Sequence, residues 1–373
     1  MRILVIGHSY VVDSNRQFWN QFAKNEKCQI DMIVPKIWHS NLIKVLNFKF
    51  NQSTDENIRH IYPISVYKSG NGSFYHYHWL NFFNVLRKNK YDSIFIFQET
   101  WSFSLAQLIL VKLITKNIKV PIHLAVCQNI IKPKLAWLIP WEIILTKFVE
   151  RIWFCTFEIL KVLSYKHIKC KTSYLPFTFD QNIYLPKIKE IKSVIKIGFI
   201  GRITEGKGIL NLVEACRLLI NEGYKVELHL AGGGNLENEL IDTFIIKHGL
   251  IPHIEAHLFY HEIDILVLPS HTKTFWKEQF GRVLVESTAS GTPVIGSSSG
   301  AIPEVINTIG FGAVFKEQDA VDLKNKLVII MEQMQAPDYQ SRMQLAITKT
   351  LEFASHQSVA HKLYLQMNKD QIV

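Results

Sequence analysis

At 373 residues, 48% of them hydrophobic, the chain is long enough for two ordinary domains and too apolar to be disordered. Its five cysteines, at positions 28, 127, 155, 170 and 216, form no C-x-x-C pair, which argues against a disulfide framework or a structural zinc and for a reducing compartment. The net charge of +10 asks for negative partners such as nucleotide diphosphates, lipid diphosphates or anionic membrane surfaces, while no basic run interleaved with aromatics marks a nucleic-acid binder.

Arg2–Gly7 (RILVIG) reads as a buried parallel strand. Met1-Arg2 leads straight into it, so no cleavable signal is expected, and no charge-free apolar stretch reaches the roughly 18 residues of a membrane span. The expected location is the cytoplasm, with peripheral contact to the inner face of the membrane. The turn behind the strand carries one glycine and His8 in place of G-x-G-x-x-G, so no dinucleotide is expected there. Gln29–Pro35 reads as the second strand. Phe74–Trp79 is dense in aromatics and contains His76-x-His78, but no carboxylate or third histidine accompanies that pair, so no metal site is expected.

Asp92–Phe97 is a further buried strand and delivers Glu99 at its carboxyl end; Pro121–Val126 does the same for Gln128 and Asn129. In open α/β sheets ligands bind outside those ends. His8, Glu99, Gln128 and Asn129 are therefore the candidates for the acceptor side. From Lys132 to Leu163 the chain is rich in Trp, Leu, Ile and Phe. Read as a helix after Glu142, it gathers Lys147, Glu150, Arg151, Glu158 and Lys161 within an arc of about 100°, which favours a core helix. Lys132, Lys134, Trp137 and Trp141 would also suit a membrane surface.

Residues from about 176 to 196, enriched in Pro, Lys and Asn, read as a linker. A second alternation then begins at Ile195–Ile200, with strand candidates at Val226–Ala231, Phe244–Ile246, Asp264–Leu268, Pro293–Ile295 and Gly312–Phe315. The expected domains are 1–180, 181–355, and a helical segment 356–373 that returns to the first. Two halves with one βα rhythm indicate two Rossmann-like doubly wound parallel sheets.

Chemistry concentrates in the second half. Gly201 to Gly208 (GRITEGKG) follows its first strand and places Arg202 and Lys207 on a glycine-freed loop, a fork and a mobile point charge suited to phosphate oxygens. Gly232-Gly233-Gly234 turns after the next strand. Glu278 and Glu286 stand eight positions apart, and a helix beginning near Gly281 would aim its free N–H groups at an anion between them. One carboxylate can accept from ribose hydroxyls and the other from sugar hydroxyls.

These motifs resemble a known family. E-x7-E followed by Gly291–Ile295 (GTPVI) and Gly300–Glu304 (GAIPE), together with G-R-x4-K-G at Gly201–Gly208, is similar to the donor-site signature of retaining, family-4 glycosyltransferases of the GT-B fold. The resemblance implies two Rossmann-like domains facing across a cleft and a nucleotide-diphosphate sugar donor. It also implies transfer to a saccharide or lipid-linked acceptor in bacterial surface-glycan assembly, with no resident cofactor. By the same resemblance Arg202 and Lys207 meet the leaving phosphate and Glu278 holds the sugar. Glu286 anchors the ribose, and the backbone of Phe280, Gly281, Arg282 and Val283 lies close by. Gly201 and Gly233 belong to the donor turns, Gly233 near the nucleobase. The absence of D-x-D accords with metal-independent chemistry. The resemblance further implies a break in 132–163 with a strand near Ile152–Cys155, which periodicity does not settle. Relatives carry a histidine where this chain has Gln128-Asn129, so a non-catalytic sugar-nucleotide-binding scaffold is the rival expectation.

Overall fold

The computed structural model describes residues 1–39, 45–72, 74–187, 189 and 193–370. The chain divides into two compact units, Met1–Pro176 with His356–Val373, and Phe177–Ser355. Of the linker stretch, 188 and 190–192 lie outside the described residues, as do 371–373 of the C-terminal segment.

The first unit is built on seven strands: β1 (Arg2–Gly7), β2 (Gln29–Pro35), β3 (His60–Ile64), β4 (Ser93–Phe97), β5 (Ile122–Val126), β6 (Arg151–Phe154) and β7 (Lys171–Tyr174). They lie in the order β7-β6-β5-β4-β1-β2-β3, all parallel. Ile3, Leu4, Val5 and Ile6 of β1 are fully buried, because elements cover both faces of a parallel sheet and leave no polar side. The edge strand β7 (KTSY) is polar and half open instead. Helix α1 (Gln17–Asn25) contributes Trp19 and Phe22 to one core, which Ala360, Leu363 and Met367 of the C-terminal helix His356–Lys369 complete. Arg151 on β6 grips Asp370 at 2.7 Å and fastens the end of that helix. A fully buried Arg16–Asp55 pair at 2.7 Å ties the start of α1 to the one-turn helix Gln52–Asp55 that precedes β3.

The apolar stretch 132–163 is not a single core helix. It forms a 3-10 turn (Pro133–Leu138), helix α2 (Ile139–Thr146), strand β6 and helix α3 (Glu158–Tyr165). Past α2 the chain turns, Val149 N–H bonding the Thr146 carbonyl at 3.1 Å, and Glu150 N–H then joins the Ile122 carbonyl at 2.9 Å beside β5. The arc of charges imitated the polar face of a single helix and hid this break, since the rest of the circumference is apolar and periodicity alone does not show where such a stretch turns. Trp137 is 71% exposed and Trp141 38%, so the core reading fails for both.

The second unit has six parallel strands: β8 (Ile195–Ile200), β9 (Val226–Ala231), β10 (Ile245–Gly249), β11 (Ile265–Leu268), β12 (Val294–Ser297) and β13 (Ala313–Phe315). Their order is β10-β9-β8-β11-β12-β13. Helices α4 (Ile209–Asn221), α5 (Ala256–Glu262), α6 (Arg282–Ala289) and α7 (Ile302–Ile309) run between them. The order reverses between β8 and β11, which makes their carboxyl ends the topological switch point. In the first unit the same reversal falls between β1 and β4. The expectation of two Rossmann-like doubly wound parallel sheets is met. Among the described residues no helix is long and apolar enough to cross a membrane.

Candidate functional site

At the switch point of the second unit, the loop after β8 brings Lys207 to Glu278 on the loop after β11. The ammonium lies 2.6 Å from Glu278 Oε2, and the buried Ser270 hydroxyl donates to the same oxygen at 2.9 Å. Lys207 Nζ also sits 4.9 Å above the Trp276 ring. Two glycines allow the approach. Gly208 has φ +70, and a Cβ there would stand 1.8 Å from the Pro269 carbonyl oxygen. Gly300 has φ +56, and its Cβ would stand 2.0 Å from the Glu278 carbonyl oxygen. Any other residue would push one loop off the other.

Arg202, on the same loop as Lys207, is exposed; its carbonyl accepts from Thr204 N–H at 3.0 Å, while its guanidinium has no ion pair or hydrogen bond among the described residues. The loops after β8 and β9 are joined by Gly201 N–H to the Ala231 carbonyl at 2.9 Å and Ile203 N–H to the Gly233 carbonyl at 3.0 Å. Gly281 precedes α6 in the left-handed region, and no side chain caps that helix. Phe280 is 1% exposed and packs on Phe177 and Phe353, so its side chain belongs to the core and only its backbone is available to a ligand. The Arg282 guanidinium lies over Phe177 at 5.6 Å, and Val283 is half-buried in the first turn of α6.

Glu286 occupies the buried side of α6. The Tyr260 hydroxyl donates to its Oε2 at 2.8 Å, and His253 Nε2 lies 3.2 Å from Oε1. Burial pushes this carboxyl up, but the His253 hydrogen bond and charge, Arg282 and the Tyr260 hydroxyl outweigh burial and hold it below the ordinary value. Tyr260 and His253 carried no signal in the sequence, because their reach to Glu286 depends on how α5 and the turn His253–Glu255 before it pack against α6. His271, whose backbone N–H bonds the Gly206 carbonyl at 2.9 Å, also escaped the sequence reading; burial lowers its pKa.

In the first unit Glu99 and Gln128 are brought close at the ends of β4 and β5. Cys127 N–H donates to Glu99 Oε1 at 3.2 Å, and burial raises the Glu99 pKa. The Gln128 amide is committed at both ends, donating to the Ile130 carbonyl and accepting from Lys166 Nζ, each at 2.8 Å. Asn129 is buried beside it. Lys166 also pairs with Glu142 at 2.8 Å, and Thr100 donates to the same Glu142 oxygen. The sequence reading missed this cluster. Its one available sign was Glu142, the only acidic residue between Lys132 and Val149, since a carboxylate in such surroundings demands a partner. His8 is held apart in an aromatic box, 4.7 Å from Trp38 and 5.6 Å from Tyr75 between ring centroids. Burial lowers its pKa to about 4, so it is neutral near pH 7. His76 and His78 both stack on Tyr67.

The profile of the family described as "Glycosyl transferases group 1" matches residues 180–346. Over 140 residues the chain is 33% identical to the capsular polysaccharide biosynthesis glycosyltransferase CapM of Staphylococcus aureus, covering 35% of this chain and 36% of that protein. Over 135 residues it is 33% identical to the amylovoran biosynthesis glycosyltransferase AmsK of Erwinia amylovora, covering 34% and 33%. The match thus spans about a third of the length of these curated relatives. Among solved structures, a glycosyltransferase from Rickettsia africae superposes with TM-score 0.76 at 16% identity, over 99% of this chain and 98% of that one. Anabaena HepE in complex with UDP superposes with TM-score 0.72 at 13% identity, over 99% and 100%. At such identities the likeness is one of fold.

Proposed function

We propose that the chain is a retaining, metal-independent glycosyltransferase of the glycosyl transferases group 1 family, whose profile matches residues 180–346. It moves a sugar from a nucleotide-diphosphate sugar to a glycan or lipid-linked acceptor in assembly of a bacterial surface polysaccharide or lipopolysaccharide. The observation that carries this reading is the Lys207–Glu278–Ser270 cluster at the switch point of the second sheet. The names of the capsular and amylovoran relatives support the pathway, and the UDP complex of HepE supports the donor class.

In the proposed step the bond from the anomeric carbon to the diphosphate oxygen breaks, and the acceptor hydroxyl adds to the same face. Its proton passes to the departing phosphate oxygen. That route needs no side-chain base, which suits a first unit whose Gln128 is committed at both ends. Lys207 and Arg202 stabilise the charge growing on the phosphate, an electrostatic contribution that a preorganised site makes at little cost. Glu278 accepts from sugar hydroxyls once Lys207 turns to phosphate. Glu286, held by Tyr260 and His253, accepts from the ribose. No resident cofactor takes part, and the protein works in the cytoplasm, docking reversibly to the inner membrane face.

Turnover of radiolabelled sugar nucleotides tests the reading. Thermal shift against UDP-, GDP- and dTDP-sugars selects the donor, because a ligand at 100 times its Kd adds about 2.7 kcal/mol to stability. Binding without turnover would favour the non-catalytic scaffold. Transfer should persist after exhaustive chelation; abolition by EDTA with rescue by Mn²⁺ or Mg²⁺ would overturn metal independence.

A further inference from the structure

The second unit carries another group of converging side chains. His229 lies within β9, His248 on the edge strand β10, and Glu262 ends α5. His229 Nδ1 is 2.9 Å from His248 Nε2 and 3.7 Å from Glu262 Oε1. One ligand atom from each residue lies within 4.8 Å of the others. The far nitrogen of His229, Nε2, stands 3.1 Å from Glu227 Oε2.

We propose that His229, His248 and Glu262 form a binding site for a divalent transition-metal ion of the zinc class, with Glu227 as the carboxylate that orients His229. The donor set is the first reason. Two imidazoles and one carboxylate suit Zn²⁺, Cu²⁺ or Ni²⁺ and suit Mg²⁺ or Ca²⁺ poorly. Geometry is the second. Bonds of about 2.0–2.1 Å in a tetrahedron set ligand atoms about 3.3 Å apart. The observed 2.9 and 3.7 Å straddle that spacing and the third separation lies within 4.8 Å, so modest side-chain shifts admit the ion.

The third reason is the shell behind the ligands. A histidine that binds a metal through one nitrogen commonly gives the other N–H to a carboxylate, which sets its tautomer. Glu227 stands where it takes that proton from His229 and leaves Nδ1 with its lone pair toward the other two ligands. The His248 ring is clamped between His229, stacked at 5.1 Å, and the edge of Phe259 at 5.3 Å. Three protein ligands leave a fourth position for water. The ion would tie the edge strand β10 to β9 and α5, and β10 pairs irregularly with β9 at Leu230 and Ala231. This is a structural site, separate from the Lys207–Glu278 pair, and it does not rest on the transfer reaction.

The test is calorimetric titration of the metal-stripped full chain with Zn²⁺, with thermal midpoints read in parallel. The parent should bind one tight ion per chain and gain thermal stability, and Mg²⁺ should do neither. Because His229 is buried, the variants are made at the more exposed members. His248→Gln should abolish the tight site, Glu262→Gln should weaken it at least tenfold, and Glu227→Gln should weaken it roughly 10–100-fold as expected for an orienting carboxylate. Absence of a tight site in the parent would overturn the proposal. So would equal binding in His248→Gln, which would put the ion among others of the 15 histidines. Neither readout involves sugar transfer, so the two proposals fail separately.

Discussion

Two lysines in this chain hold glutamates beside indole rings, one in each unit. Lys207 pairs with Glu278 at 2.6 Å, 4.9 Å from the Trp276 ring, with the Ser270 hydroxyl on the shared oxygen. Lys166 pairs with Glu142 at 2.8 Å, 4.3 Å from the Trp101 ring, with the Thr100 hydroxyl on the shared oxygen. The parts are the same. Surroundings differ: side-chain exposure is 17% and 12% for the first pair but 8% and 2% for the second. The turn Pro133–Leu138 lies over the Lys166 pair, where Lys132, Leu135 and Ala136 line what little space remains. Burial lowers the Lys166 pKa although Glu142 opposes it. A buried pair cannot exchange its partner without stranding a charge, so it serves structure; the pair on glycine loops can release its carboxylate to a ligand.

The largest expected effect comes from breaking the closed pair. Glu142→Ala should lower unfolding stability by about 3–5 kcal/mol, because it leaves the Lys166 ammonium buried and uncompensated. A paired Glu142→Leu/Lys166→Met change should restore much of that loss. Urea denaturation measures both, and a cost below about 1 kcal/mol for Glu142→Ala would erase the distinction between the pairs.

The open pair should behave in the opposite way. Lys207→Ala or Glu278→Ala should cost about 2–4 kcal/mol in the transition state, by analogy with loss of one oxyanion donor, and leave the urea midpoint nearly unchanged. Transfer at the parent rate in either variant would remove the site assignment.

Acid sharpens the contrast from the side of the first unit. Burial lowers both His8 and His123 from the ordinary 6.5 to about 4. Between those values the unfolded chain binds protons that the folded chain refuses, so stability is full above about pH 6.5 and is lost as pH falls toward 4. Each histidine contributes a slope of at most about 1.4 kcal/mol per pH unit in that window. Urea midpoints from pH 7 to 5 should fall, and His8→Phe should flatten the fall. An unchanged slope in that variant would show that His8 does not titrate as its packing requires.

The smallest effect concerns the outer side of the turn that covers Lys166. Trp137 on that turn and Trp141 on α2 are exposed, near Lys132 and Lys134 in the sequence. Co-sedimentation should show binding to liposomes containing anionic lipid, weak binding to neutral ones, and partial release by salt, which screens over about 10 Å at 0.1 M. Lys132→Glu/Lys134→Glu should reduce binding. Indifference of the parent to lipid charge would leave the turn as a cover alone.

By itself the sequence marked the buried inner strands of both sheets, such as β1, β4 and β5 in the first and β8, β9 and β11 in the second, because strands buried on both faces leave short continuous apolar runs; β3 and the polar edge strand β7 left no such run. It also singled out Lys207, on a loop freed by Gly206 and Gly208, and Glu278, through its eight-residue spacing from Glu286. Tertiary structure alone decided the rest. Lys166 reaches Glu142 across 24 residues and His248 reaches His229 across 19, and Tyr260 meets Glu286 across 26. No local period links such pairs; each depends on which faces of distant strands and helices are pressed together. The division of 132–163 was decided in the same way. A stretch apolar over most of its circumference takes its shape from the neighbours it packs against, and those neighbours were β5 and β7.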